Sequence, residues 1–100
     1  MNADPLLPDN YKKDAAKPEG RKTVVMYCIP NNPETVKARE FFKRNGVIVD
    51  ERDVTTNARW AEHVLRNAGN AIEPFIETGG NSLKGFNPLV QARLSELLNL

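Results

Sequence analysis

Residues 23–49 read TVVMYCIPNNPETVKAREFFKRNGVIV, and this stretch decides the fold. Thr23-Val24-Val25-Met26-Tyr27-Cys28 is a short apolar run with β-branched members, the composition of a strand buried on both faces. Ile29-Pro30-Asn31 reads as a loop. Asn32 followed by Pro33 marks a helix start, because an Asn side chain accepts from free first-turn N–H groups and proline's fixed φ suits the first helical position. Glu34 in that turn complements the positive end of the helix dipole. The spacing places Ala38, Phe41 and Phe42 on one inner face, the helix runs to about Asn45, and Gly46 ends it. Val47-Ile48-Val49 opens a second strand that continues towards Asp53-Val54. A strand, a helix and a strand joined by short loops form a βαβ unit, which is parallel and nearly always right-handed.

Working outward from this unit, Thr56 and Asn57 open a second helix. Trp60, Ala61, Val64, Leu65 and Ala68 recur at helical spacing as its buried face, and Gly69 closes it. Phe75-Ile76 is a third strand, Thr78-Gly79-Gly80-Asn81 has turn chemistry, and Ser82-Leu83-Lys84 returns as a fourth, which makes a hairpin. Asn87-Pro88 repeats the cap-plus-proline start for a last helix carrying Val90, Leu94, Leu97 and Leu98 on one face. On the other side of the unit, residues 1–22 read as a disordered polar tail. Pro5, Pro8 and Pro18 interrupt it, lysines and arginines make it polar, and only Leu6 and Leu7 offer apolar surface for docking. Residues 23–100 form the one folded domain.

The bulk figures narrow the function classes. A chain of 100 residues suits a single domain with a thin core. A formal net charge of +1 gives no general attraction to nucleic acid or to an acidic membrane surface. No apolar run approaches the ~20 residues needed to span a bilayer, and the start lacks the layout of a secretory signal. Cys28 is the lone cysteine, so no internal disulfide can form, which fits a reducing cytoplasm. No metal-ligand spacing, phosphate-binding glycine loop or hydrolase triad is present.

The element order βαβ-α-ββ-α, together with local motifs, resembles the glutaredoxins of the thioredoxin-fold superfamily. That family carries Pro-x-Cys-Pro-Tyr-Cys, then Val-Lys-Ala and a helix ending at Gly. Here the run is Pro30-Asn31-Asn32-Pro33-Glu34-Thr35-Val36-Lys37-Ala38, with Gly46 in the glycine's place. Asp53-Val54 matches the end of the family's second strand. Ile72-Glu73-Pro74 occupies the place of its Thr-Val-Pro, and Gly85-Phe86-Asn87-Pro88 resembles the Gly-Phe-Arg-Pro of glutaredoxin-like donors to ribonucleotide reductase. The resemblance covers residues 23–100 without a gap. It implies an α/β thioredoxin-like fold with a four-stranded mixed sheet in the order 2-1-3-4 and helices on both faces. It also implies a cis peptide bond before Pro74 and a ligand groove bordered by Glu73, Pro74, Gly85 and Phe86, although core packing accounts for Phe86 equally well.

The departures from the family fall on its chemistry. Its nucleophilic cysteine, held as a thiolate by a helix start, is here Asn32, and its resolving cysteine is Thr35. Neither an amide nor an unactivated hydroxyl exchanges with sulfur. The basic residue before the motif is Ile29, the Cys-Asp-Asp that meets the γ-glutamyl group of glutathione is Phe86-Asn87-Pro88, and Glu73 adds a negative charge where anionic glutathione would lie. Dithiol redox chemistry is therefore excluded, and glutathione binding is expected to be weak or absent, with no cofactor. Pro30, Asn32, Pro33 and Thr35 remain as the family's active-site positions, and Cys28 is the sole thiol candidate for catalysis.

These residues support a non-redox binding module, a cytoplasmic monomer that takes a protein or peptide in the groove beside Pro74. The alternative is a weak monothiol oxidoreductase using Cys28. An active redox paralogue is a further candidate partner. His63, among Arg59, Glu62 and Arg66, reads as a solvated surface histidine, and Asp50-Glu51-Arg52-Asp53 reads as an exposed strand edge.

Overall fold

The computed structural model describes residues 22–100. The reading of the first residues as a disordered tail falls on 1–21 and so lies outside the described residues; Lys22, assigned to that tail, is instead the first residue of a strand. The elements run β1 (Lys22–Cys28), α1 (Pro33–Arg44), β2 (Val47–Asp53), α2 (Ala58–Ala68), β3 (Phe75–Thr78), β4 (Asn81–Lys84) and α3 (Pro88–Leu98). They form one sheet in the order β2-β1-β3-β4. β1 and β2 are parallel from Lys22↔Val47 to Cys28↔Asp53, and β3 lies antiparallel to both β1 and β4. The expected thioredoxin-like topology is the one observed.

Alternation along β1 divides the core in two. Val24, Met26 and Cys28 face one layer with Ala38, Phe41 and Phe42 of α1, Ile76 of β3, Phe86, and Val90, Leu94 and Leu98 of α3. Tyr27 faces the other layer with Val54, Val64 and Phe75, against which Val25, Trp60, Ala61 and Ala68 are partly buried. Leu65, read as part of the buried face of α2, points outward with 53% of its surface exposed. The stripe of α2 needed against a short sheet is narrower than the apolar spacing suggests.

Three asparagines start the three helices. Asn32 Oδ1 accepts from Glu34 N at 2.8 Å, Asn57 Oδ1 from Arg59 N and Trp60 N at 3.0 and 3.2 Å, and Asn87 Oδ1 from Val90 N at 3.0 Å. Each satisfies N–H groups that the first helical turn leaves free. The two histidine and charge-run readings meet different outcomes. Asp50–Asp53 do lie on the edge strand β2. His63 is less solvated than expected: its Nε2 is 2.7 Å from Glu77 Oε2, and its ring lies 4.8 Å from that of Tyr27. Spacing along α2 could not show that the third strand places a carboxylate opposite it.

Candidate functional site

The β1–α1 loop and the first turn of α1 supply Pro30, Asn32, Pro33 and Thr35. The fold brings this turn against two other segments. Asn32 Nδ2 donates to the Ile72 carbonyl at 3.2 Å, tying the turn to the loop before β3. Glu34 Oε1 accepts from the Phe86 N–H at 2.9 Å, tying it to the segment after β4. The Gly85 N–H donates to the Pro74 carbonyl at 2.7 Å, closing the ring between those two segments. The expected site residues are therefore assembled in one place.

The structure changes or narrows their expected roles at three points. No peptide bond among the described residues is cis, so the Glu73–Pro74 bond is trans. The Pro74 carbonyl is engaged by Gly85, and Pro74 itself is among the fully buried residues. The trans form is the intrinsically favoured one for an X–Pro bond, by about 0.5–1 kcal/mol, and the cis form was implied by resemblance alone. Second, of the two readings open for Phe86, core residue and groove wall, the structure takes the core. The residue is buried, and its ring lies 5.5 Å from that of Phe41. An aromatic ring in a thin core contributes more by burial than by lining an open surface. Third, Gly85, at φ +83°, is covered: a Cβ there would sit 3.3 Å from Glu73 Oε2 and 3.5 Å from Glu34 Oε1. The two carboxylates stand over Gly85, and Lys84 Nζ lies 3.8 Å from Glu73 Oε1.

Thr35 replaces one thiol position with a fully buried hydroxyl whose Oγ1 has no hydrogen-bond partner. A buried, unpaired hydroxyl is a cost to stability, and it gives the site no nucleophile, because no base contacts it. Asn32, at the other position, is committed at both ends of its amide, to Glu34 N and to the Ile72 carbonyl.

Cys28 ends β1 behind the loop and is completely buried. Its Sγ donates to Glu51 Oε2 at 3.7 Å. Burial first, then the Glu51 charge and this hydrogen bond, push the thiol up to about 12. Arg39 holds Glu51 from the other side, with Nε donating to Oε1 at 3.0 Å, and its Nη2 also donates to the Pro30 carbonyl at 3.2 Å. Hydrogen bonding from that guanidinium keeps the Glu51 carboxyl below the usual range. The sole thiol is thus a neutral, enclosed group beside an anion, the reverse of the exposed electropositive setting that makes a cysteine nucleophilic.

Sequence reasoning did not find three parts of this arrangement. Glu34 was legible only as a dipole partner, yet it bridges to Phe86. The Arg39–Glu51 clamp joins α1 to β2 across twelve residues of chain and leaves no short motif. Ile72 and Leu89 are outward apolar residues, at 63% and 82% exposure, Ile72 in the loop whose carbonyl Asn32 binds and Leu89 in the first turn of α3, three residues after Phe86. An outward apolar residue in a loop or first turn was the one available signal. Among the described residues no cluster of His, Cys, Asp and Glu could hold a metal, and no helix is long and apolar enough to cross a membrane.

The topology is that of the thioredoxin-like glutaredoxin fold, and a chain with a single cysteine has no cysteine pair. The chain is similar to the thioredoxin-like protein BC3987. A point mutant of that protein shares 29% identity over 76% of this chain and 94% of that one, with a TM-score of 0.66. The unmutated BC3987 shares 27% over 71% and 97%, with a TM-score of 0.61. The glutaredoxin from Archaeoglobus fulgidus shares the fold at 22% identity, covering 91% of this chain and 100% of that one with a TM-score of 0.65. No family model matches the chain, and no curated protein matches it.

Proposed function

We propose that the chain is a non-redox binding module that engages a protein or peptide on the surface beside Pro74, between the first turn of α1, Ile72–Pro74 and Gly85. The observation that carries this reading is a helix start without a thiol, tied to the loop of the outward apolar Ile72, with a second outward apolar residue, Leu89, three residues after Phe86. Large apolar groups held outward beside polar ones mark association surfaces. With Pro74 trans and its carbonyl engaged, a partner docks on side chains rather than by adding a strand. An active redox paralogue is one protein partner of this kind. Peptides selected from a display library against the native chain should lose at least about tenfold in affinity for an Ile72→Asp/Leu89→Asp variant, which corresponds to about 1.4 kcal/mol. Both side chains are exposed, so the unfolding midpoint should hold. Peptides that bind both proteins equally overturn the reading.

Glutathione is expected to bind no tighter than ~1 mM, about −4 kcal/mol, because Glu73 and Glu34 cover Gly85 with negative charge. Micromolar binding by calorimetry would contradict this. The alternative, a monothiol oxidoreductase through Cys28, needs that thiol exposed and ionised, and its burial and raised pKa weigh against it. No turnover is expected in a glutathione-coupled disulfide reduction assay; turnover that disappears in Cys28→Ser would reinstate the enzyme.

A further inference from the structure

The turn from α1 into β2 brings together two groups that can react with each other. Asn45 is the one asparagine in the chain that is followed by glycine. An asparagine Cγ is an electrophile, and the nitrogen of the next peptide is the nucleophile nearest to it in the chain. A Cβ on the following residue hinders their approach, and glycine has none. Both Asn45 and Gly46 are exposed, and beyond the chain neighbours nothing lies within 4 Å of where a Gly46 Cβ would stand. Lys43 and Arg44 precede them in the last turn of α1. Their positive charge favours the anionic nitrogen that attacks and the oxyanion that follows. Two hydrogen bonds hold the resting state. Asn45 Nδ2 donates to the Phe41 carbonyl at 2.8 Å, and the Gly46 N–H donates to the Lys43 carbonyl at 3.3 Å, a long bond of its kind. Attack consumes both donors, so it starts from an opened last turn, the part of a helix that frays most readily.

We infer that Asn45-Gly46 is a site of spontaneous deamidation, and that the modification loosens the joint between α1 and β2. The Gly46 nitrogen gives its proton to solvent base and bonds to Asn45 Cγ. The Cγ–Nδ2 bond breaks, Nδ2 takes a proton from solvent and leaves as ammonia, and a succinimide ring remains. Water then adds to one of the two ring carbonyls and reopens it. The product carries an aspartate at position 45 or, where water adds at the main-chain carbonyl, an isoaspartate. Nothing is oxidised or reduced, and water is the only co-reactant. Either product removes the donor that Asn45 gives to the Phe41 carbonyl and adds a negative charge at the helix end where one is unfavourable. The isoaspartate also lengthens the main chain by one methylene just before Gly46. That glycine, at φ +69°, reverses the chain into Val47, the residue of β2 that pairs with Lys22. This turn contains none of the residues of the binding reading given above, and the inference does not depend on it.

Peptide mapping by mass spectrometry tests it, on the full chain aged at mildly alkaline pH in water enriched in heavy oxygen. Asn45 should deamidate at least fivefold faster than any other asparagine, including Asn81, which precedes the small Ser82 in the hairpin. One heavy oxygen should be incorporated, and isoaspartate should be among the products. Asn45→Gln should stay unmodified at this position over the same period, because ring closure through the longer side chain is far slower. The separated aged chain and Asn45→Asp should both unfold at lower denaturant than the native chain, the isoaspartate form lowest. An Asn45 that is still intact when Asn81 has been modified overturns the inference, and so do equal rates at the two positions. Deamidation at Asn45 that leaves the unfolding midpoint where it was overturns the claim that the side chain fastens α1 to β2.

Discussion

Asn32-Pro33 and Asn87-Pro88 are the same local signal, and in the structure they become two different things. Both asparagines cap a helix and both prolines take the first helical position. At α3 the cap is only a cap: Asn87 Oδ1 accepts from Val90 N, and the next residue, Leu89, projects into solvent. At α1 the cap is a joint. Asn32 also donates to the loop before β3, and Glu34, the counterpart of Leu89, accepts from the backbone after β4. The difference lies in what the sheet brings alongside. α1 begins where the Pro74 and Gly85 segments converge, so its first turn has partners to hold. The first turn of α1 thus fastens two loops, Asn32 the one before β3 and Glu34 the one after β4.

The largest effect that bears on this comparison is at Phe86, where Phe86→Ala should lower stability by about 3–5 kcal/mol in denaturant unfolding. The ring packs with Phe41 in the main core, so the loop fastened by Glu34 is also anchored from below. A loss below about 1 kcal/mol would return Phe86 to the surface and leave the Glu34 and Gly85–Pro74 hydrogen bonds as the loop's anchors.

Behind the same joint lies Cys28, and there pH is the probe. The folded state raises the thiol's pKa to about 12 from an ordinary value of 9.0. The folded chain therefore keeps a proton that the unfolded chain loses. The stability this contributes is complete below about pH 9 and is lost as pH rises towards 12. Denaturant midpoints of the native chain should fall more steeply over this window than those of Cys28→Ala. Equal slopes would mean that the thiol is not enclosed beside Glu51.

The second positions of the two helices give the next contrast. Glu34→Ala leaves the Phe86 N–H without its acceptor and should cost about 1–3 kcal/mol. Leu89→Ala, at an exposed position, should stay within about 0.5 kcal/mol. Similar losses at both positions would erase the distinction between joint and cap.

How much of this was legible in the sequence follows from the range of each interaction. The βαβ unit, the hairpin and all three helix starts rest on contacts within a few residues, and propensity and spacing report those directly. The strand order came through resemblance, since nothing in the spacing of β3 and β4 states which side of β1 they join. The site's membership was readable in the same way, but the roles were not. Phe86 reads equally as wall or core until Phe41 is placed beneath it. The bond before Pro74 was read as cis because related motifs have it so, while the backbone here runs trans and engages its carbonyl with Gly85. The anion beside the Cys28 thiol is Glu51 held by Arg39, a contact between elements that no local pattern encodes.

The smallest effect is also the sharpest separator of the two helix starts. Aspartate at a cap keeps the acceptor oxygen and adds a negative charge to the positive helix end, worth about 0.3–1 kcal/mol at an exposed site. Asn87→Asp has no other bond of the side chain to lose, so it should be neutral or stabilising within that range. Asn32→Asp keeps the bond to Glu34 N but has no N–H to offer the Ile72 carbonyl, a net loss of about 0.5–1.5 kcal/mol. It also puts a third carboxylate near Glu34 and Glu73, which already meet over Gly85, so the dipole gain is opposed by like charge. The two variants should therefore move the unfolding midpoint in opposite directions, with Asn32→Asp the lower. Added salt should narrow the gap only in part, because it screens the carboxylates but does not restore the lost donor. If both variants raise the midpoint equally, the Asn32–Ile72 bond contributes nothing, and α1 begins with a cap no different from that of α3.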